Sequence, residues 1–92
     1  AHCASAVWSV SDAETALTTL SETIEADPSA AIVERTGTYL HATFNSKIFG
    51  FVDDVELNAP STDSLEVRSI SRIGDSDLGV NAQRLQRLIE AL

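Results

Sequence analysis

Four short segments with the alternation of β-strands follow one another in the middle of this chain. They cover residues 31–36, 38–44, 48–57 and 65–73. A parallel neighbour needs a crossover of about a dozen residues or more, and none of the connections between these segments is that long. Successive strands must therefore pair antiparallel, which restricts the chain to folds built on an antiparallel sheet.

The segments before and after this block add one strand and two helices. Residues 3–10 alternate as a strand, and residues 12–26 and 81–92 have apolar side chains at helical spacing. The spacing of Ser11 and Glu14 predicts a capping box at the start of the first helix, and Asn81 is predicted to cap the second. The expected apolar stripes of the two helices are Ala13, Ala16, Leu17, Leu20 and Ile24, then Leu85, Leu88, Ile89 and Leu92.

These elements predict one α+β domain over residues 1–92, in the order β-α-β-β-β-β-α. Each helix has a single apolar face, so we expect both helices to cover the same face of a curved sheet of about five strands. This two-layer order is similar in topology to the folds of TATA-binding-protein-like and helix-grip domains. Such a likeness carries no function by itself.

Charge and composition exclude several classes of protein. The formal net charge is −8, with 14 acidic and 6 basic residues, which opposes binding to nucleic acid phosphates. No apolar run approaches the ~18 residues that would insert into a membrane. Cys3 is the single cysteine, so an internal disulfide is excluded, and no metal or cofactor site is predicted. The chain begins at Ala1, so we expect a processed or trimmed form; an upstream membrane anchor and export stay open, and the compartment is not determined.

Arginine, serine and aspartate concentrate between the last strand and the last helix. These residues predict a site for a small anionic or carboxylate ligand. The arginines would contact the ligand, the serines would donate hydrogen bonds to it, and the aspartate would orient an arginine. The start of the last helix would also attract negative charge. The predicted site residues are Arg68, Ser69, Ser71, Arg72, Asp77, Asn81 and Arg84.

The same arginines have a structural interpretation. If residues 49–57 pair with residues 65–73, Arg68 lies near Asp54 or Glu56 on one sheet face, and Arg72 could equally pair with an aspartate in residues 75–77. Asp53 points to the opposite face, where it would need a partner. The sequence leaves ligand binding and ion pairing open.

Two other functions stay open. The face that carries Gly50, Val52 and Ile70 is partly apolar and opposite the helices, which is typical of a surface for a protein partner or for self-assembly. A hydrolase or metal-dependent enzyme ranks third. Both histidines precede the Gly74–Asp75–Ser76 turn, and residues 75–86 lack the glycine and the glutamate of a calcium loop, so the chain is expected to be a binding or accessory domain.

Two blocks of the sequence form a longer pattern: FGFVDDVEL (49–57) and VRSISRIGDSDLGVNAQRLQRL (67–88). They resemble the DUF1499 family, an uncharacterised domain of bacteria, archaea and plastids. The resemblance covers most of the chain and implies no established activity. It implies that relatives are secreted or tethered to a membrane. The residues that match the family pattern are Phe51, Asp53, Glu56, Arg68, Ser69, Ser71, Arg72, Gly74, Ser76, Asp77, Gly79, Asn81 and Arg84.

Overall fold

The computed structural model describes residues 3–45, 51–72 and 79–92. Within these ranges the chain is an α+β fold in the predicted order β-α-β-β-β-β-α. The strands are β1 (Cys3–Ser9), β2 (Ala30–Arg35), β3 (Tyr39–Asn45), β4 (Val52–Ser61) and β5 (Ser64–Ser71). The helices are α1 (Ala13–Glu25) and α2 (Val80–Glu90).

All five strands belong to one open sheet, and every neighbouring pair is antiparallel, as the short connections predict. Their order across the sheet is β1-β5-β4-β3-β2, so β1 and β2 form its two edges. Helix α1 packs over β2, β3 and β4, and α2 packs over β1 and β5. We call the face under the helices the inner face and the opposite one the outer face.

The core lies between the inner face and the two helices. The predicted alternation is confirmed in β3 and β5, where Leu40, Ala42, Leu65 and Val67 are buried. The whole predicted stripe of α1 is buried as well. In α2 only part of the stripe is confirmed: Leu85 and Leu88 are buried, whereas Ile89 and Leu92 are exposed at the end of the helix.

The starts of both helices differ from the prediction. Asp12, not Ser11, caps α1, and its Oδ1 accepts a hydrogen bond of 3.1 Å from the Thr15 amide. Gly79, not Asn81, occupies the cap position of α2. Its φ of 81° lies in the left-handed region that glycine adopts without a Cβ clash.

The end predicted at residue 57 for the strand segment 48–57 is wrong. Strand β4 continues to Ser61, and the Ala59 amide donates to the Thr38 carbonyl at 2.8 Å. The β4–β5 register is irregular between Asn58 and Ser61, which accommodates a proline that has no amide hydrogen to donate to the ladder.

Neither of the two described helices has the length and apolarity that a membrane-spanning helix requires.

Candidate functional site

The sheet separates the predicted site residues onto its two faces. Successive residues of a strand point to opposite sides, so Arg68 lies on the outer face while Ser69 is fully buried on the inner face. Ser71, Asn81 and Arg84 join Ser69 on the inner side, through the hydrogen bonds given below. Arg72 follows β5 and contacts a carboxylate of the outer face. The remaining predicted residue, Asp77, lies outside the described residues.

The inner side holds a buried ion pair. Arg84 of α2 donates from Nη1 to Asp53 Oδ2 of β4 at 2.8 Å, and both side chains are only 12% exposed. The guanidinium carbon lies 4.8 Å from the centre of the Phe44 ring, close enough for a cation–π contact. The predicted requirement of a buried Asp53 for a partner is thus met by an arginine from the second helix.

Asn81 connects this ion pair to the serines of β5. Its Oδ1 accepts hydrogen bonds from Ser69 Oγ at 2.7 Å and from Arg84 Nη1 at 3.0 Å, while its Nδ2 donates to Ser71 Oγ at 2.9 Å. Arg84 also donates to Ser69 Oγ at 3.2 Å. We call Asp53, Ser69, Ser71, Asn81 and Arg84 the inner polar cluster. In the described part of the chain, no buried side-chain nitrogen or oxygen lacks a hydrogen-bond partner, so the cluster joins α2 to the sheet at no cost in unpaired polar groups.

On the outer face, Glu56 accepts hydrogen bonds from two strands. Tyr39 Oη of β3 donates to its Oε2 at 2.6 Å, and Arg68 of β5 donates to its Oε1. Both bonds stabilise the carboxylate, so the pKa of Glu56 lies below its usual range, with the bond from Tyr39 as the larger cause. The bond to Glu56 also raises the pKa of Tyr39 to about 12, and it raises the pKa of Arg68.

Asp54 forms a second outer pair beside the first. Arg72 donates from Nε to its Oδ2 at 2.8 Å and from Nη2 to its Oδ1 at 3.0 Å. His41 Nε2 lies 2.8 Å from Asp54 Oδ1. The arginine bond is the main cause that lowers the pKa of Asp54 to about 2, and the same bond raises the pKa of Arg72. Arg68 thus pairs with Glu56, one of its two predicted partners. For Arg72 the sequence predicted an aspartate in residues 75–77, which lie outside the described residues, whereas the structure pairs it with Asp54. We call Tyr39, His41, Asp54, Glu56, Arg68 and Arg72 the outer network.

A groove of about 430 Å³ runs between the outer network and the edge strand β1. Its apolar side includes Val7, which is 70% exposed, and its polar side includes Glu56, Glu66 and Arg68. The residues that line it are Ser5, Ala6, Val7, Tyr39, Glu56, Asn58, Glu66, Val67 and Arg68.

Ser69 is on the inner face and His41 on the outer face, so this serine and this histidine cannot act together as nucleophile and base. Within residues 3–45, 51–72 and 79–92, no group of three or more His, Cys, Asp or Glu side chains is arranged to hold a metal ion.

Tyr39 and His41 belong to the outer network but are absent from the predicted site residues. The signal was present in the alternation of β3, which places both on the face opposite Leu40 and Ala42. The register of β3 against β4 then pairs His41 with Glu56 and Tyr39 with Asn58, so that Tyr39 is the next residue to His41 on that face of β3.

The fold and the site together define an α+β domain with one covered and one open sheet face. The chain belongs to the family described as "Protein of unknown function (DUF1499)", whose sequence model matches residues 2–92. No curated protein matches the chain.

Proposed function

We propose that this chain is a protein-binding domain whose outer sheet face, at the groove beside β1, binds a segment of a partner protein that carries a basic side chain next to apolar ones. The observation that carries this proposal is the combination in one groove of the exposed Val7 side chain and two carboxylates, Glu56 and Glu66. The helices cover the inner face, so the outer face is the broad surface that stays accessible in the described structure.

The charge at the groove favours a basic partner. Two carboxylates, Glu56 and Glu66, and one guanidinium, Arg68, line it, and the whole chain carries −8. Arg68 is already paired with Glu56, whereas Glu66 is exposed and, among the described residues, accepts a 3.2 Å hydrogen bond from the amide of Asn58. A lysine or arginine of a partner would therefore find its complement at Glu66 and would be attracted over longer range by the acidic chain.

The apolar side of the groove supplies the other half of the recognition. Val7 projects from β1 with most of its side chain in solvent and supplies the aliphatic surface of the groove. Burial of such surface is the main favourable term in most protein association. The outer network fixes the polar side, so little side-chain freedom is lost when a partner binds.

An anionic ligand at the strand-to-helix junction remains the second candidate, with less support. Each of its arginines lies within hydrogen-bonding distance of a carboxylate: Arg68 of Glu56, Arg72 of Asp54, and Arg84 of Asp53. An added anion would have to compete with these carboxylates for the same guanidinium groups. A basic segment at Glu66 meets no such competition.

Selection from a random-peptide display library against the immobilised domain tests the proposal. We expect enriched peptides to contain lysine or arginine beside apolar residues, and to bind the Glu66→Lys variant at least tenfold more weakly, which corresponds to about 1.4 kcal/mol. Glu22→Lys is the matched control, because Glu22 is an exposed residue of α1 on the covered side of the sheet. It makes the same change of charge and should retain binding.

Two results would overturn the proposal. One is enrichment of acidic peptides, which would support the anion hypothesis instead. The other is equal binding to wild type and Glu66→Lys, which would remove the groove as the binding surface.

A further inference from the structure

The edge strand β1 is chemically unlike the other edge of the sheet. Its seven residues, CASAVWS, include no charged residue and no proline, and it pairs with β5 in an uninterrupted register. The opposite edge, β2, has an irregular register between Ile32 and Glu34 and ends in Glu34 and Arg35. Bulges and charges of this kind protect an edge from pairing with another chain, and β1 has neither.

The hydrogen bonds of β1 show which backbone groups point outward. The Val10 amide donates to the Asp63 carbonyl at 3.0 Å, and these two residues are the pair that follows Ser9 and Ser64 in the β1–β5 register. Hydrogen-bonded pairs alternate along an antiparallel ladder, so Trp8, Ala6 and Ala4 bond to β5 in the same way. The amides and carbonyls of Cys3, Ser5, Val7 and Ser9 are therefore directed to the open edge, with which no other strand of the described chain pairs.

We propose that two copies of this chain associate through β1, antiparallel to each other and related by a two-fold axis at Ala6. In that register Ser5 faces Val7 of the second copy, and Cys3 faces its Ser9, so the outward-directed backbone groups pair with each other along the whole strand. Ala6 faces Ala6, a pair of small side chains that allows close approach. The two sheets become one sheet, which places the two outer grooves on a single surface.

Charge favours a second copy at this place over other places on the chain. A chain of net charge −8 repels its own copies, so self-association needs a neutral contact, and β1 is the edge strand with no charged side chain. On the inner side, a small groove of about 190 Å³ between β1 and α2 has room for side chains of the added strand; its lining includes Ala4, Ala82 and Gln86. A groove that takes alternate side chains is typical of strand addition at a sheet edge.

Analytical ultracentrifugation of the full chain over a range of concentrations measures the association. We expect a monomer–dimer equilibrium that shifts toward dimer as salt is added, because salt screens the repulsion between two acidic chains. Ser5→Pro removes an outward-directed amide hydrogen and leaves the bonds to β5 intact, so it should weaken dimerisation at least tenfold. A monomer at every concentration and salt would overturn the proposal.

A crosslinking experiment tests the register and does not depend on a proline variant. In a Cys3→Ser background, Ala6→Cys should form an intermolecular disulfide under mild oxidation, because two non-hydrogen-bonded partners lie about 4.5 Å apart between their Cα atoms. Ala4→Cys is the matched control on the same side of the strand, and its two copies would lie too far apart. Equal crosslinking of the two variants would contradict the two-fold axis at Ala6. These readouts need no peptide, so they stay separate from the test of the groove.

Discussion

Arg84 and Arg72 form similar hydrogen bonds in opposite environments, and this contrast decides what each residue does. Arg84 and Asp53 are both 12% exposed, whereas the Arg72 side chain is 54% exposed. Removal of one member of a buried pair leaves the other charge without compensation, while an exposed pair exchanges its partner for water at little cost. The inner pair therefore stabilises the fold, and the outer pairs shape a surface.

The substitution Arg84→Met tests this difference. It should lower the free energy of unfolding by roughly 3 kcal/mol, because Asp53 remains buried and charged. Arg72→Met, the same change on the outer face, should cost at most about 1 kcal/mol. Urea denaturation measures both. Asp53→Asn added to Arg84→Met should recover part of the loss, and an equal cost for the two arginines would contradict the assignment.

Tyr39 is the only tyrosine of the chain, so its ionisation can be followed directly in the ultraviolet absorbance. The hydrogen bond to Glu56 should hold its pKa at about 12 in the folded protein. Glu56→Gln should bring the pKa back toward 10, the ordinary value for tyrosine. An unchanged titration curve in that variant would mean that the bond to Glu56 is not what holds the phenol protonated.

Asp54 makes the stability depend on pH in the acid range. Its folded pKa of about 2 lies below the ordinary 3.8, so its contribution is complete above about pH 4 and is lost as the pH falls toward 2. We expect a loss of roughly 1–2 kcal/mol across this window, since Arg72 is exposed to screening. Urea denaturation at a series of pH values should show a shallower loss in Asp54→Asn than in wild type. The same slope in both would exclude Asp54 as its source.

At the scale of the elements, the start of α2 depends on the left-handed backbone of Gly79. Gly79→Ala should lower the free energy of unfolding by about 1 kcal/mol, because a Cβ is strained at a φ of 81° even though the space around it is open. Gly37→Ala is the matched control: its surroundings are open as well, and its φ is not in that region. Thermal denaturation compares the two, and an equal effect would show that backbone conformation is not the cause.

Local sequence patterns predicted the strands and helices well where the face on which a side chain lies follows from alternation or from helical spacing. Alternation in β4 and β5 placed Arg68 near Glu56 and Asp54 on one face, and helical spacing gave the buried stripe of α1. The partner of Arg72 was not predicted: it is Asp54, 18 positions away, whereas the sequence suggested an aspartate in residues 75–77. Asn81 shows why the rest was not predictable. A capping rule considers nearby residues, whereas the Asn81 side chain is fully buried and bonds to Ser69 and Ser71, which lie 12 and 10 positions away.

The sequence also grouped residues of the junction that the sheet then separates. Arg68 and Ser69 are neighbours in the chain and lie on opposite faces of β5. The separation follows from the alternation of strand side chains, but the role of each face depends on where the helices pack. The exposure at the end of α2 could not be predicted either: Ile89 and Leu92 continue its apolar stripe and yet are 36% and 48% exposed, whereas Leu85 and Leu88 are buried.

At the scale of the whole molecule, the helices bury one face of the sheet and leave an open outer face, which carries the outer network and continues to the edge strand β1. The proposed recognition at the groove and the proposed pairing at β1 would use different atoms, side chains in the first case and backbone in the second. A dimer would place two identical grooves on one surface, so a partner with two binding segments would gain affinity from both.

The most direct measurement is amide chemical-shift mapping of the full chain with a selected basic peptide. We expect the perturbed amides to cluster on the outer face around Val7, Glu66 and Arg68, with little change along the exposed side of α1. Perturbation centred on Ser69, Ser71, Asn81 and Arg84 would contradict it and move the binding site to the strand-to-helix junction.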